Sequence, residues 1–232
     1  MKRHALFGMV VLASGIVVAA QSDPKEEVKG AAKKLGEKNN YSWTSTVKLP
    51  EGSQFRPGPT EGKTEKDGLT HVTMSFGDNK MEIATKGEKA AVLNQEGVWQ
   101  SAADLENAEG PARFLAIFAR NVRTPAVQAA EIAGFAKELK KDGDALAGDL
   151  TDDGAKKLLQ FRRGGDATVS NARGSAKFWL KDGALVKYEY KVQGTVSFGG
   201  QDRDVDRTTT VEIKDVGTTK LEVPEAARKV LQ

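Results

Sequence analysis

Apolar and polar residues alternate strictly from Val186. Val186, Tyr188, Tyr190 and Val192 fall on one face, and Lys187, Glu189, Lys191 and Gln193 on the other. A period of two marks an antiparallel strand with one dry and one wet face. The preceding segment from Ala176 ends at Asp182-Gly183, which makes the pair a hairpin. A two-residue Asp182-Gly183 loop sets Trp179 opposite Val186 and Phe178 opposite Lys187. A three-residue loop, Lys181-Asp182-Gly183, sets Phe178 opposite Val186 and Ala176 opposite Tyr188. One residue of slip exchanges the faces, so the dry pattern discriminates between the loops. The three-residue loop is expected, because it gathers Phe178, Leu180, Val186 and Tyr188 on one face. It also sets Lys177 against Lys187, a modest repulsion on the wet side.

Elsewhere the same reading gives an ordered set of elements. Asp23, Pro24 and Glu26 are an N-cap, an N1 proline and a first-turn carboxylate. Val28, Ala31, Ala32 and Leu35 follow at helical spacing. The strand YSWTSTVKL carries Tyr41, Trp43, Val47 and Leu49 on one face, and Pro50 to Gly62 reads as a long loop. Turn signals at Asp67-Gly68, Gly77-Asp78-Asn79, Lys86-Gly87 and Glu96-Gly97 separate short strands from Lys63 to Gln100, which reads as a meander. Helices are expected from Pro111 and from Thr124-Pro125. A hairpin around Asp142-Gly143 and a helix from Asp152 to about Phe161 come next. After the Ala176 hairpin, Gly199-Gly200 leads to a strand with Val205, Thr209, Val211 and Ile213 on one face, and a last short helix starts near Pro224.

Strands, then helices, then strands predict an α+β fold: a large curved antiparallel sheet, or incomplete barrel, with helices covering its concave face.

The N-terminus changes the picture. Lys2 and Arg3 precede an apolar run from Ala5 to Ala20, with small residues at Val18 and Ala20. This is the pattern of a signal peptide over residues 1–20. Residues 21–232 are then expected to form one domain, exported and periplasmic, with no stable membrane insertion after cleavage. The run is shorter than the ~20 residues a spanning helix needs. With Cys 0 the core has no disulfide. Loss of Lys2 and Arg3 lowers the formal charge from +3 to +1, and nucleic-acid binding is not expected from so small a basic excess.

Candidate chemistry is sparse. After the leader the sole histidine is His71, whose alternation groups it with Leu69, Thr73 and Ser75 on a strand. No serine sits in a nucleophile elbow. Asp202, Asp204 and Asp206 open like a calcium loop, but Arg207 and Ile213 occupy the glycine and glutamate positions. Residues GPTEGKT from Gly58 to Thr64 imitate a phosphate-binding loop with the wrong spacing and flanks. No catalytic residue, metal or cofactor is expected.

The aromatic residues are more informative. Tyr41, Trp43, Phe76, Trp99, Phe178, Tyr188 and Tyr190 read as a dry-face set, with Phe114 and Phe118 on the covering helix. They make either a filled core or a cavity between sheet and helices. Tyrosine and tryptophan tips need partners when buried, which suits the mouth of a pocket.

Several segments in order carry a resemblance: NYSWTSTV, KAAVLNQEGVWQSAADL, LTDDGAKKLL, KFWLKDGALVKYEYKVQGTV, TTTVEIKDVG and VPEAARKVL. This succession resembles the periplasmic lipoprotein-carrier (LolA-like) superfamily and its LppX-type lipid-binding relatives. The resemblance implies a non-enzymatic carrier, whose half-barrel holds a lipid or a lipoprotein acyl chain in its concave face. It also implies a lid-gating arginine, for which Arg113, Arg120 and Arg123 are candidates. Many relatives are anchored through a cysteine that this chain lacks. The expected function is therefore a soluble exported binder of a hydrophobic ligand. The alternative is a non-catalytic structural or interaction module of the cell envelope with a filled core.

Overall fold

The computed structural model describes residues 23–53, 56–76, 79–160 and 167–232. The expected signal peptide, the Gly77-Asp78 turn and the side chains of Phe76, Asn79, Pro111, Phe114 and Phe198 lie outside the described residues. The elements are α1 (Pro24–Gly36), β1 (Asn40–Lys48), β2 (Thr60–Glu65), β3 (Thr70–Phe76), β4 (Asn79–Lys86), β5 (Lys89–Leu93) and β6 (Trp99–Ser101). Then come α2 (Pro111–Arg120), α3 (Pro125–Phe135), β7 (Lys140–Asp142), β8 (Ala145–Asp149) and α4 (Asp152–Gln160). The chain closes with β9 (Thr168–Lys181), β10 (Ala184–Phe198), β11 (Gln201–Lys214) and α5 (Glu225–Val230).

All these strands belong to one 11-stranded sheet in the order β6-β5-β4-β3-β2-β1-β11-β10-β9-β8-β7. Two antiparallel meanders run outward from a central pair, β1 with β11, in which Trp43 faces Ile213 and Val47 faces Thr209. The outermost strands, β6 and β7, do not meet, so the sheet is an open half-barrel. This is the expected α+β architecture.

Short-range signals explain the helices. Asp23 caps α1 by accepting from the Lys25 amide at 2.9 Å, and Val28, Ala31, Ala32 and Leu35 form its buried stripe. That stripe joins the main core with Ala129, Ile132 and Ala133 of α3 and with Phe178, Tyr188 and Val192 of the sheet. Leu158 and Leu159 of α4 enter the same core. The concave face is thus covered by α1 to α4, the N-terminal helix included, and not by the middle helices alone.

The far face carries a second, smaller core. Leu69, Ala84 and Ala91, projecting outward from the first meander, are covered by Leu221, Val223, Ala227 and Leu231 of the C-terminal segment.

The hairpin differs from its expected register. Lys181 pairs with Ala184 and Leu180 with Leu185, so the loop has two residues. Asp182 and Gly183 both have positive φ (53° and 72°), the geometry that Asp-Gly favours in such turns. A bulge at Val186 then shifts the pairing to Trp179 with Lys187 and Phe178 with Tyr188. Val186 is 37% exposed and Leu185 2%. The extra residue lies in the strand rather than the loop, and either place restores the faces. The anticipated Lys177–Lys187 repulsion is absent: Lys177 faces Glu189, and the Lys187 ammonium sits 4.5 Å above the Trp179 ring.

The expected long loop also ends early, because Thr60–Glu65 forms β2. The loop-like composition has a packing reason. Gly62 pairs with Trp43, and a Cβ there would lie 2.1 Å from Trp43 Cζ2. The indole therefore lies across β2 where other residues would carry a side chain. The phosphate-loop imitation is a strand built to accept a ring.

A candidate ligand-binding cleft

Strand length sets up the site. β9, β10 and β11 contain 14, 15 and 14 residues, about 45–50 Å of extended chain. The covering helices are far shorter: α1 has 13 residues and α4 has 9, about 20 and 14 Å. Beyond their reach the concave face opens into a cleft of about 1240 Å³.

The apolar lining comes from several elements. Val47 and Leu49 lie at the end of β1, Met74 on β3, Ile117 and Phe118 on α2, and Val205 on β11. The segment Pro50–Ser53 and residues Pro57 and Gly58 form one wall. Polar groups border the same space, including Arg173, Gln193, Arg203 and Arg207. A smaller recess of about 70 Å³ lies deeper, and Thr60 and Phe118 border both spaces. Trp43, Val72, Gln128, Tyr188 and Val211 line the recess. One of its walls carries a hydrogen bond in which the Tyr188 hydroxyl donates to Gln128 Oε1 at 2.7 Å.

The aromatic set divides accordingly. Tyr190 and Phe118 line the large cleft, while Trp43 and Tyr188 line the recess. Phe178 is buried in the packed interior and stacks on Tyr188, ring centroids 6.4 Å apart. Tyr41 is buried beside Trp43 (5.9 Å). Burial pushes the Tyr41 phenol upward, against hydrogen bonds with the Thr124 side chain and the Ala126 backbone. Burial also pushes Tyr188 well up, aided by neighbouring Tyr190, Tyr41 and Glu131.

Trp99 is separated from the others. It packs on the outer face with the C-terminal core, its ring 6.2 Å from that of His71. Alternation in a strand as short as β6 does not say which face is inner, and the C-terminal segment makes the outer face dry as well. The side chains of Phe76 and Phe114 lie outside the described residues.

The cleft residues that sequence reasoning missed are Val47 and Leu49 as lining, and the arginines of β9 and β11. Their signal lay in β11, where Asp202-Arg203-Asp204-Val205-Asp206-Arg207 alternates in charge. Of the candidate gating arginines, Arg120 pairs with Glu106. Arg123 borders the recess and donates to the Arg120 carbonyl at 3.2 Å.

Possible chemical centres lie elsewhere. His71 Nε2 is 3.0 Å from Glu82 Oε2, and neither residue lines the cleft. Among the described residues no group of His, Cys, Asp or Glu is placed to hold a metal. Also among them, no helix is long and apolar enough to cross a membrane.

Fold and site together define a class: an open antiparallel half-barrel whose concave face is partly plugged by helices and partly hollow. Solved structures similar to this chain include LprF from Mycobacterium bovis, with 12% identity, a TM-score of 0.47 and coverage of 88% of this chain and 96% of that one. The Mycobacterium tuberculosis lipoprotein LppX is similar at 8% identity and a TM-score of 0.45, over 86% and 97% of the two chains. A LolA superfamily protein from Nitrosomonas europaea has 9% identity and a TM-score of 0.37, over 91% and 98%. No family model and no curated protein matches the chain.

Proposed function

We propose that this protein is an exported, non-enzymatic binder or carrier of a hydrophobic ligand, a lipid or the acyl chain of a lipoprotein, held in the cleft. The supporting observation is the hollow end of the half-barrel. A space of about 1240 Å³ is walled by Val47, Leu49, Met74, Phe118 and Val205, larger than the ~300–1,000 Å³ common for small-molecule sites. Each methylene moved from water onto such walls contributes about 0.8 kcal/mol, so a long chain binds firmly with few polar contacts.

The filled-core alternative draws support from the inner region. Phe178, Tyr188 and Ile132 are packed solid, so that region is scaffold under either reading. The two diverge at the open end. Native mass spectrometry and lipid extraction of protein isolated from its own cell envelope, with titration of a fluorescent fatty acid, separate them. The carrier reading expects a co-purified amphiphile and saturable binding. Absence of both leaves the interaction-module reading.

A further inference from the structure

The concave face carries neutral hydrogen-bonding groups where cleft and recess meet. Ser45 pairs with Thr60 on one side and with Val211 on the other. Thr60 continues to Met74 and Val211 to Tyr188, so one inner row reads Met74, Thr60, Ser45, Val211, Tyr188. In the next row Thr209 lies between Val47 and Tyr190. Hydroxyls thus stand at neighbouring positions within an otherwise aliphatic and aromatic surface. Directly opposed residues on one face have Cβ atoms about 4.5–5.5 Å apart. From α3, Gln128 reaches the same surface, where its Oε1 accepts from the Tyr188 hydroxyl at 2.7 Å.

These groups lack protein partners. Among the described residues, no hydrogen bond engages the Ser45, Thr60 or Thr209 hydroxyl or the Gln128 amide nitrogen. Also among them, Asn40 Oδ1 is the one fully buried side-chain polar atom without a partner, so these groups open onto the spaces they line. Ser45 and Gln128 line the recess, Thr209 lines the cleft and Thr60 borders both. Each hydroxyl offers one donor and two acceptor sites, and the amide offers two donors. A hydrocarbon tail laid over them displaces water without replacing its hydrogen bonds, which loses affinity. A carboxylate or phosphate would bring its charge in among Trp43, Val72, Pro125 and Val211, where desolvation is costly. Arg123, the charged residue of the described recess lining, is exposed, and its Nη1 donates to the Arg120 and Val122 carbonyls, each at 3.2 Å.

We infer that the recess and its mouth take a neutral, hydroxyl-bearing head group, as in a monoester of glycerol, whose acyl tail lies in the cleft against Val47, Leu49 and Val205. The inference rests on the carrier reading and adds a head-group class to it. Hydroxyls donate and accept at once, as the side chains facing them do. The recess of about 70 Å³ is several times the ~10–15 Å³ that one water requires, room for a small polar head.

The test is displacement of the neutral dye N-phenylnaphthylamine at pH 8 by monolauroylglycerol, methyl laurate and laurate, which share one acyl chain. Monolauroylglycerol should displace it at concentrations about tenfold below the other two, the range expected of two neutral hydrogen bonds. Ser45→Ala with Thr60→Val should bring monolauroylglycerol to the level of methyl laurate. Ser45→Thr, which keeps the hydroxyl, should retain the preference. Because these hydroxyls bond nothing in the protein, the double variant should keep its melting temperature. A fall of several degrees assigns the hydroxyls to folding and overturns the inference. Equal displacement by all three ligands overturns it too, as does laurate displacing best, and both leave the carrier reading standing. So does a monolauroylglycerol preference that survives in the folded double variant. If the dye does not bind and no ligand changes the tryptophan emission, the carrier reading itself falls and this inference with it.

Discussion

Replacing Gly62 by alanine adds one methyl group where Trp43 already lies. The new Cβ would be 2.1 Å from Cζ2, 2.2 Å from Cε2 and 2.6 Å from Cη2 of the indole, against about 3.5–4.0 Å for carbon atoms in contact. The ring must retreat by more than an ångström, or β1 and β2 must part. Retreat is partly possible, because Trp43 borders the small recess of about 70 Å³. A cost near the upper part of the usual 1–3 kcal/mol for overpacking is therefore expected. Opposing it, alanine is about 0.5–1 kcal/mol better than glycine in a strand interior. The net loss should be about 1–2 kcal/mol, read from urea unfolding at unchanged m-value.

The sign of the effect should depend on the ring. In a Trp43→Leu background the clashing atoms are gone, and Gly62→Ala should stabilise by about 0.5–1 kcal/mol. The double-mutant cycle then gives a coupling of about 2 kcal/mol. If Gly62→Ala has the same effect in both backgrounds within about 0.5 kcal/mol, the ring does not lie over Gly62 and the account of β2 is wrong.

Other outcomes follow from the same geometry. Phe118 stands between cleft and recess, so Phe118→Ala should join them and move the optimum of a fatty-acid length series toward longer chains; an unchanged optimum refutes the partition. Tyr188 titrates above its ordinary value of 10.0, so the unfolded chain loses this proton first. Stability is then complete below pH 10 and falls above it by up to about 1.4 kcal/mol per pH unit for this one group. Tyr188→Phe should flatten that alkaline slope and, by leaving Gln128 Oε1 without its donor, cost about 1–2 kcal/mol at neutral pH in urea unfolding. Leu185→Ala should cost about 2–5 kcal/mol and Val186→Ala less than about 0.5 kcal/mol; the reverse order would favour the three-residue loop.

The hairpin shows what periodicity reveals and what it conceals. Alternation requires that Phe178 and Tyr188 share a face, and they do. It constrains only the total number of extra residues between the two strands. Whether that residue sits in the loop or as a bulge at Val186 is decided by the φ values Asp182-Gly183 adopts, and the hydrophobic pattern is blind to them. The Pro50–Gly62 reading missed β2 for a related reason. Glycine counts against a strand in a local reading, but Gly62 is there for a ring contributed by another strand. Trp99 was misplaced because the second dry face is created by a segment more than a hundred residues later, at Leu221 to Leu231. Local pattern thus carried the order and type of the elements. It missed what depends on a distant partner.

The cleft has the same origin, and its location follows from a change in side-chain size along the inner face. On β10 that face runs Tyr188, Tyr190, Val192, Gly194 and Val196; on β11 it runs Val211, Thr209, Arg207, Val205 and Arg203. Large rings fill the part roofed by α1 and α3. At Gly194 the missing side chain admits α4, since a Cβ there would meet Leu159 Cδ1 at 2.8 Å. Arg207 donates to the Leu158 carbonyl at the same level. If burial were the sole requirement, the strands would end with the helices. Instead β10 and β11 continue to Phe198 and Gln201, and their inner residues become small, aliphatic or basic. Beyond Gly194, Val196 is fully buried in the main core, while Val205 is only partly buried and borders the cleft. A hydrophobic ligand bound as proposed would cover Val205 together with Val47 and Leu49, apolar residues that border the cleft.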